Sequence, residues 1–112
     1  MLSAATNPVE TIPNIRGLRP VGAEDQECLD EIRHVLAKHG ALQRFGVTLL
    51  HEHFAMSGDE ILKEYCDEDN RTMVLTPTKR SDLDAEKVLF TAWDLGTGEP
   101  LVGCIIPWED GA

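Results

Sequence analysis

The chain has 112 residues, 42% of them hydrophobic, and its 20 acidic side chains against 10 basic ones leave a net charge of −10. That length suits one hydrophobic core and not two ordinary domains, and so acidic a chain repels polyanions, which argues against nucleic acid and anionic membrane as partners. No apolar run approaches the roughly 18 residues of a membrane span, and the first residues lack the basic start and continuous apolar stretch of a signal peptide. Cys28, Cys66 and Cys104 are odd in number, widely spaced and without a Cys-x-x-Cys pair. Neither a disulfide framework nor a thiolate zinc site is expected; small, reduced thiols in a cytoplasmic protein are.

Residues 1–20 read as an extended N-terminal arm. Pro8, Pro13 and Pro20 with Gly17 oppose a regular helix. Val9, Ile12, Ile15 and Leu18 recur every third residue, a spacing that suits lying along a surface or adding an edge strand. Residues 21–112 read as a single α+β domain. A helix is predicted over 23–39, with Cys28, Leu29, Ile32, Val35, Leu36 and His39 on one face. Acidic side chains crowd its first half, Arg33, Lys38 and His39 lie towards its end, and Gly40 suits a left-handed cap. His34 falls on the polar side, whereas His39 sits near the middle of the apolar face and is expected to touch the core or the sheet.

The segment 44–54, RFGVTLLHEHF, is the strongest strand-like run and carries the candidate site. In a strand, His51 and His53 project on the same side as Val47 and Leu49, with Glu52 on the other. Two imidazoles on one face can hold a ligand or supply two nitrogens to a divalent transition metal, and a complete metal site needs further ligands. His39 is the first candidate for a third; Cys104, Glu64 and Asp94 are others. Preceded by Lys38, His39 and Gly40, this run resembles a segment of small uncharacterised proteins that share RFG-x-x-LLH-x-HF; the resemblance is confined to the segment and implies no activity.

After Phe54 the chain has two readings. Ser57 with Glu60 three residues on is a capping-box pattern for a short helix, while 61–66 and 71–76 look like two strands around a polar turn at 67–70. The hairpin is favoured, because Thr72, Val74 and Thr76 are β-branched on alternate positions, and Pro77 is expected to end it. The residues 78–86 form a charged connection. A second hairpin is predicted from 87–94 and 101–108, with Gly96 and Gly98 permitting the reversal and Trp108 packing near the end.

One helix and about five antiparallel strands give an α+β domain with the helix across a curved sheet, a cystatin-like layout. Val88, Phe90 and Ala92 alternate with Leu89 and Trp93, so both faces of the sheet are apolar and the face away from the helix needs a cover. A homodimer through that face is the expected one, with the arm as competitor. Two functions are open at this point: a small soluble binding or interaction protein with its site at His51 and His53, or a metal-binding protein or metal-dependent enzyme using those residues as ligands.

Overall fold

The structure, a computed structural model, describes residues 12–83 and 87–105. Expectations that fall on 1–11, 84–86 and 106–112, among them most of the arm and the packing of Trp108, lie outside the described residues. The chain divides into two compact units, Met1–Phe54 and Ala55–Ala112. Its class is α+β: one α-helix and a four-stranded mixed sheet among the described residues. No described helix is long and apolar enough to cross a membrane.

In the first unit, Asn14 caps a 3-10 turn, Ile15–Gly17, its side chain accepting from the Arg16 N–H at 2.9 Å. A second 3-10 turn, Ala23–Asp25, leads into α1, Gln26–Lys38. Arg19 pairs with Glu24 and Asp25 at this entry, and the Gly22 N–H donates to the Asp25 carboxylate at 3.0 Å. The helix ends as its glycine predicts. Gly40 has φ 66, its N–H donates to Ala37 O at 3.0 Å, and the Ala41 N–H donates to Leu36 O at 2.7 Å, so the last carbonyls are satisfied by a left-handed cap.

The apolar face of α1 departs from its predicted burial. Leu29, Ile32 and Leu36 are half-buried, but Val35 is 54% exposed, and Cys28 and His39 are exposed too. Helical geometry explains the division: at roughly 100° per residue, Leu29, Ile32 and Leu36 define one stripe, and Cys28, Val35 and His39 all fall on the same flank of it. His39 therefore meets solvent and not the core.

The segment 44–54 does not form the predicted strand. Among the described residues its sole ladder contact is an isolated parallel bridge between Asn14 and Glu52. The Glu52 N–H donates to Pro13 O at 2.8 Å and the Ile15 N–H donates to Glu52 O at 2.7 Å. Pro13 has no N–H to give to a further rung on one side of this bridge, and on the other the chain turns away at once into the 3-10 turn. Phe45, Val47 and Leu49 accordingly remain exposed.

In the second unit the hairpin reading holds. Strand β1, Glu60–Asp67, pairs antiparallel with β2, Thr72–Lys79, in an unbroken register from Glu60 opposite Lys79 to Asp67 opposite Thr72. Half of the capping box forms nonetheless: the Ser57 N–H donates to Glu60 Oε1 at 2.8 Å just before the strand begins. Pro77 does not end β2, because β2 is an edge strand and tolerates a residue without a donor. Strand β3, Val88–Asp94, pairs antiparallel with β4, Glu99–Ile105, with bulges between Phe90 and Trp93.

The two hairpins lie side by side in the order β2-β1-β4-β3, and the inner strands β1 and β4 run parallel, with Leu62 opposite Val102 and Glu64 opposite Cys104. The sheet is therefore mixed where an antiparallel one was expected. Gly103 shows why β4 lies against β1: Ile61, Val88 and Phe90 close over the place its side chain would occupy. Ile61, 1% exposed, and Val88, 8% exposed, are the buried apolar side chains of the described residues. Leu62, Leu75, Val102 and Leu89 share the opposite face, so both faces are apolar, as the alternation predicts.

Candidate functional site

The structure brings His51 and His53 together. Their ring centroids are 5.0 Å apart and the planes meet at 84°, an edge-to-face pair. This closeness is local in origin and does not need a strand. Glu52, between them, has both backbone groups fixed by the bridge to Pro13 and Ile15, which sets the direction in which the chain leaves on either side.

His51 is turned back on its own backbone, with Nδ1 2.7 Å from Leu49 O. A carbonyl oxygen only accepts, so Nδ1 carries the proton in this bond and Nε2 of the neutral ring keeps its lone pair. His51 is half-buried, whereas His53 is exposed. One ring is thus anchored and the other stands beside it at the surface. Such a pair can present a donor and an acceptor, or two nitrogen ligands, to a group arriving from solvent.

The remaining candidates have other roles. His39 closes α1, its backbone N–H donating to Val35 O at 3.2 Å, and its side chain is exposed. Among the described residues no group of three or more His, Cys, Asp or Glu side chains is placed to hold a metal ion. Asp94 organises the β3–β4 turn: its carboxylate accepts from the Gly96 N–H at 2.8 Å and its carbonyl from the Gly98 N–H at 2.6 Å. Glu64 and Cys104 face each other across β1 and β4. Burial pushes the Cys104 thiol above its ordinary range, and the nearby Glu64 carboxylate and Cys66 add to the shift.

Two shallow hollows lie at the C-terminal end of α1. One, of about 290 Å³, is lined by Ala37, Gly40, Leu42 and Gln43, and the other, of about 190 Å³, by Arg33, His34, Ala37 and Leu42. Neither is lined by His51 or His53. The sequence suggested no site there, since His34 reads as a residue of the helix's polar side, Arg33 as a charge suited to the helix end and Gly40 as the cap; Leu42, an apolar side chain exposed beside that cap, is a hint. Comparison with known proteins finds no match to the chain among family models, curated proteins or solved structures.

Proposed function

We propose that the chain is a small, soluble, cytoplasmic binding module whose ligand contacts are His51 and His53. One observation carries the reading: two imidazoles are held edge to face at 5.0 Å by a backbone that is tied down at the residue between them. A pair arranged before the ligand arrives loses less freedom on binding than two independent side chains would. The net charge of −10 favours a small ligand or a protein partner over nucleic acid or an anionic membrane surface.

A second reading is favoured by the hydrogen bond from His51 Nδ1 to Leu49 O. A backbone carbonyl on one ring nitrogen is a common way of orienting the other nitrogen towards a metal. In this reading His51 and His53 are two ligands of a divalent transition metal; His39, expected as a third, is not grouped with them, and among the described residues no third protein ligand joins the pair. Imidazole pairs suit zinc, copper and nickel alike, so the ligand set selects none of them.

The test is to titrate the wild-type protein with zinc, copper and nickel, and then with mixed small molecules and peptides, while following the ring resonances of the histidines. The binding-module reading expects the His51 and His53 rings to move together with one organic ligand and expects His51→Ala and His53→Ala each to abolish that response. Tight one-to-one metal binding, lost equally in both variants with apo stability unchanged, establishes the second reading in its place. Rings that no metal and no ligand moves would refute both.

A further inference from the structure

The sheet has two edges, and they are built differently. At β3 the register slips between Phe90 and Ala92 and again between Ala92 and Trp93, and bulges of this kind spoil an edge for pairing with another strand. At β2 the register is regular over all eight residues. The strand is also bare: Met73, Val74 and Leu75 are 60%, 55% and 42% exposed. Among the described residues no strand lies on its outer side.

The phase of the ladder shows what this edge offers. The Arg80 N–H donates to Asp59 O at 2.9 Å, in line with the pairing of Lys79 with Glu60. Because bonded and non-bonded pairs alternate in an antiparallel ladder, Thr72, Val74, Thr76 and Thr78 bond to β1, and Met73, Leu75, Pro77 and Lys79 turn their backbone groups outward. Pro77 thus falls at an outward position, where its missing N–H costs the β1 ladder nothing. Met73 and Leu75 retain both outward groups and form an uninterrupted docking row.

Charge identifies the occupant. In a chain of net charge −10, the eight residues of β2, TMVLTPTK, contain no acidic side chain. The strand is preceded by the acidic turn residues Glu68 and Asp69, with Arg71 next to its start, and it ends in Lys79; Arg80, just beyond, is paired with Glu99 at 3.0 Å, which leaves Lys79 as the cation at this end of the edge. An antiparallel self-pair sets the acidic turn of each copy beside the Lys79 end of the other, so opposite charges meet although the chain as a whole carries a net charge of −10.

We propose that β2 is a self-association edge, along which a second copy of this chain pairs its own β2 antiparallel to make one continuous sheet. The register that sets Met73 opposite Leu75 of the second copy avoids Pro77 and places Val74 opposite itself. It also brings Lys79 towards the second copy's Asp69. This goes beyond the reading of His51 and His53 and is independent of it, since no histidine takes part.

Sedimentation, disulfide trapping and charge swaps test it on the full chain. In a background with Cys28, Cys66 and Cys104 replaced by Ser, Val74→Cys is expected to form an intermolecular disulfide on mild oxidation, because opposed residues of a non-bonded pair lie about 4.5 Å apart at Cα, within disulfide reach. Thr76→Cys, displaced from its own symmetry mate, is expected not to. Lys79→Glu should weaken the dimer several-fold, and adding Asp69→Lys should restore it, a recovery that damage to the fold cannot produce. A folded monomer at every concentration up to hundreds of micromolar overturns the proposal. So does trapping through Leu89→Cys and not Val74→Cys, which would mean face-to-face packing, or a dimer that appears only when residues 1–11 are deleted, which would give the edge to the chain's own first residues.

Discussion

A Cβ placed on Gly103 would lie 2.7 Å from Val88 Cγ1 and 3.1 Å from Ile61 Cδ1. Both neighbours are β-branched, with stiff side-chain rotamers, and they belong to β1 and β3, the two strands paired with β4. Neither can swing aside cheaply, so the missing side chain is what lets the two hairpins close on a shared core. Gly103→Ala is expected to destabilise the protein by about 1–3 kcal/mol through overpacking, less a small return from the lower backbone entropy of Ala in the unfolded chain. Urea denaturation measures it; a change within about 0.5 kcal/mol, the range of a surface substitution, would mean that the core relaxes freely.

Two turns hold residues at positive φ and should respond in opposite directions. Arg71, with φ 56, closes the β1–β2 turn, its N–H donating to Glu68 O at 3.3 Å. A left-handed backbone costs a non-glycine residue about 1–2 kcal/mol, of which roughly 0.5–1 is returned because glycine loses more freedom on folding. Arg71→Gly should therefore stabilise the fold, by up to about 1 kcal/mol. Gly40→Ala, at the cap of α1 with nothing crowding the new methyl, should destabilise it by about 1 kcal/mol from backbone strain alone. Thermal unfolding of the two variants that shifted in the same direction would contradict this assignment.

Asp67 carries the pH dependence of the same turn. Its carboxyl is held below the usual carboxylate range, first by the Asn70 side-chain amide, which donates to Oδ2 at 2.9 Å, and then by the Asn70 backbone N–H, which donates to Oδ1 at 3.2 Å. With the folded value below the unfolded one, the contribution to stability is present above the ordinary carboxylate pKa and is lost as pH falls through the folded value. Asn70→Ala removes the leading cause and should raise the Asp67 midpoint while leaving the other carboxylates where they are. Carbon-detected titration of the side chains reads this directly, and an unmoved Asp67 would show that the backbone donor suffices.

Elements set by short-range chemistry were legible in the sequence. The helix, its Gly40 cap, both hairpins and the Gly96 and Gly98 reversal follow from periodicity and turn residues close in the chain. The first turn is displaced by one residue, because nothing in an arginine announces that Arg71 will take a left-handed backbone. What depended on distant partners was not legible. The alternation in 44–54 says which side chains a strand would share a face with, and not that Pro13 would halt the pairing after a single bridge. Nor does any local signal place β4 parallel to β1. His51 and His53 lie side by side, but through the bond to Leu49 O and the Glu52 bridge and not through the strand geometry that the alternation suggested.

The three thiols should differ in reactivity, and the order tests the sheet face that carries two of them. Cys28 and Cys66 are exposed, whereas Cys104 is half-buried opposite Glu64. Burial is the first cause that raises the Cys104 thiol, and the Glu64 carboxylate, which disfavours a second negative charge beside it, is the next. Since the thiolate is the reacting species, Cys104 is expected to be alkylated last in a timed iodoacetamide reaction followed by mass spectrometry. Glu64→Gln removes the charge and keeps the shape, so Cys104 should react faster in that variant while still trailing Cys66, because its burial is unchanged. Unfolding in urea should bring the three rates together. If Cys104 in the folded wild type reacts as fast as Cys66, β1 and β4 do not bury it, and the parallel pairing of Glu64 with Cys104 would have to be given up.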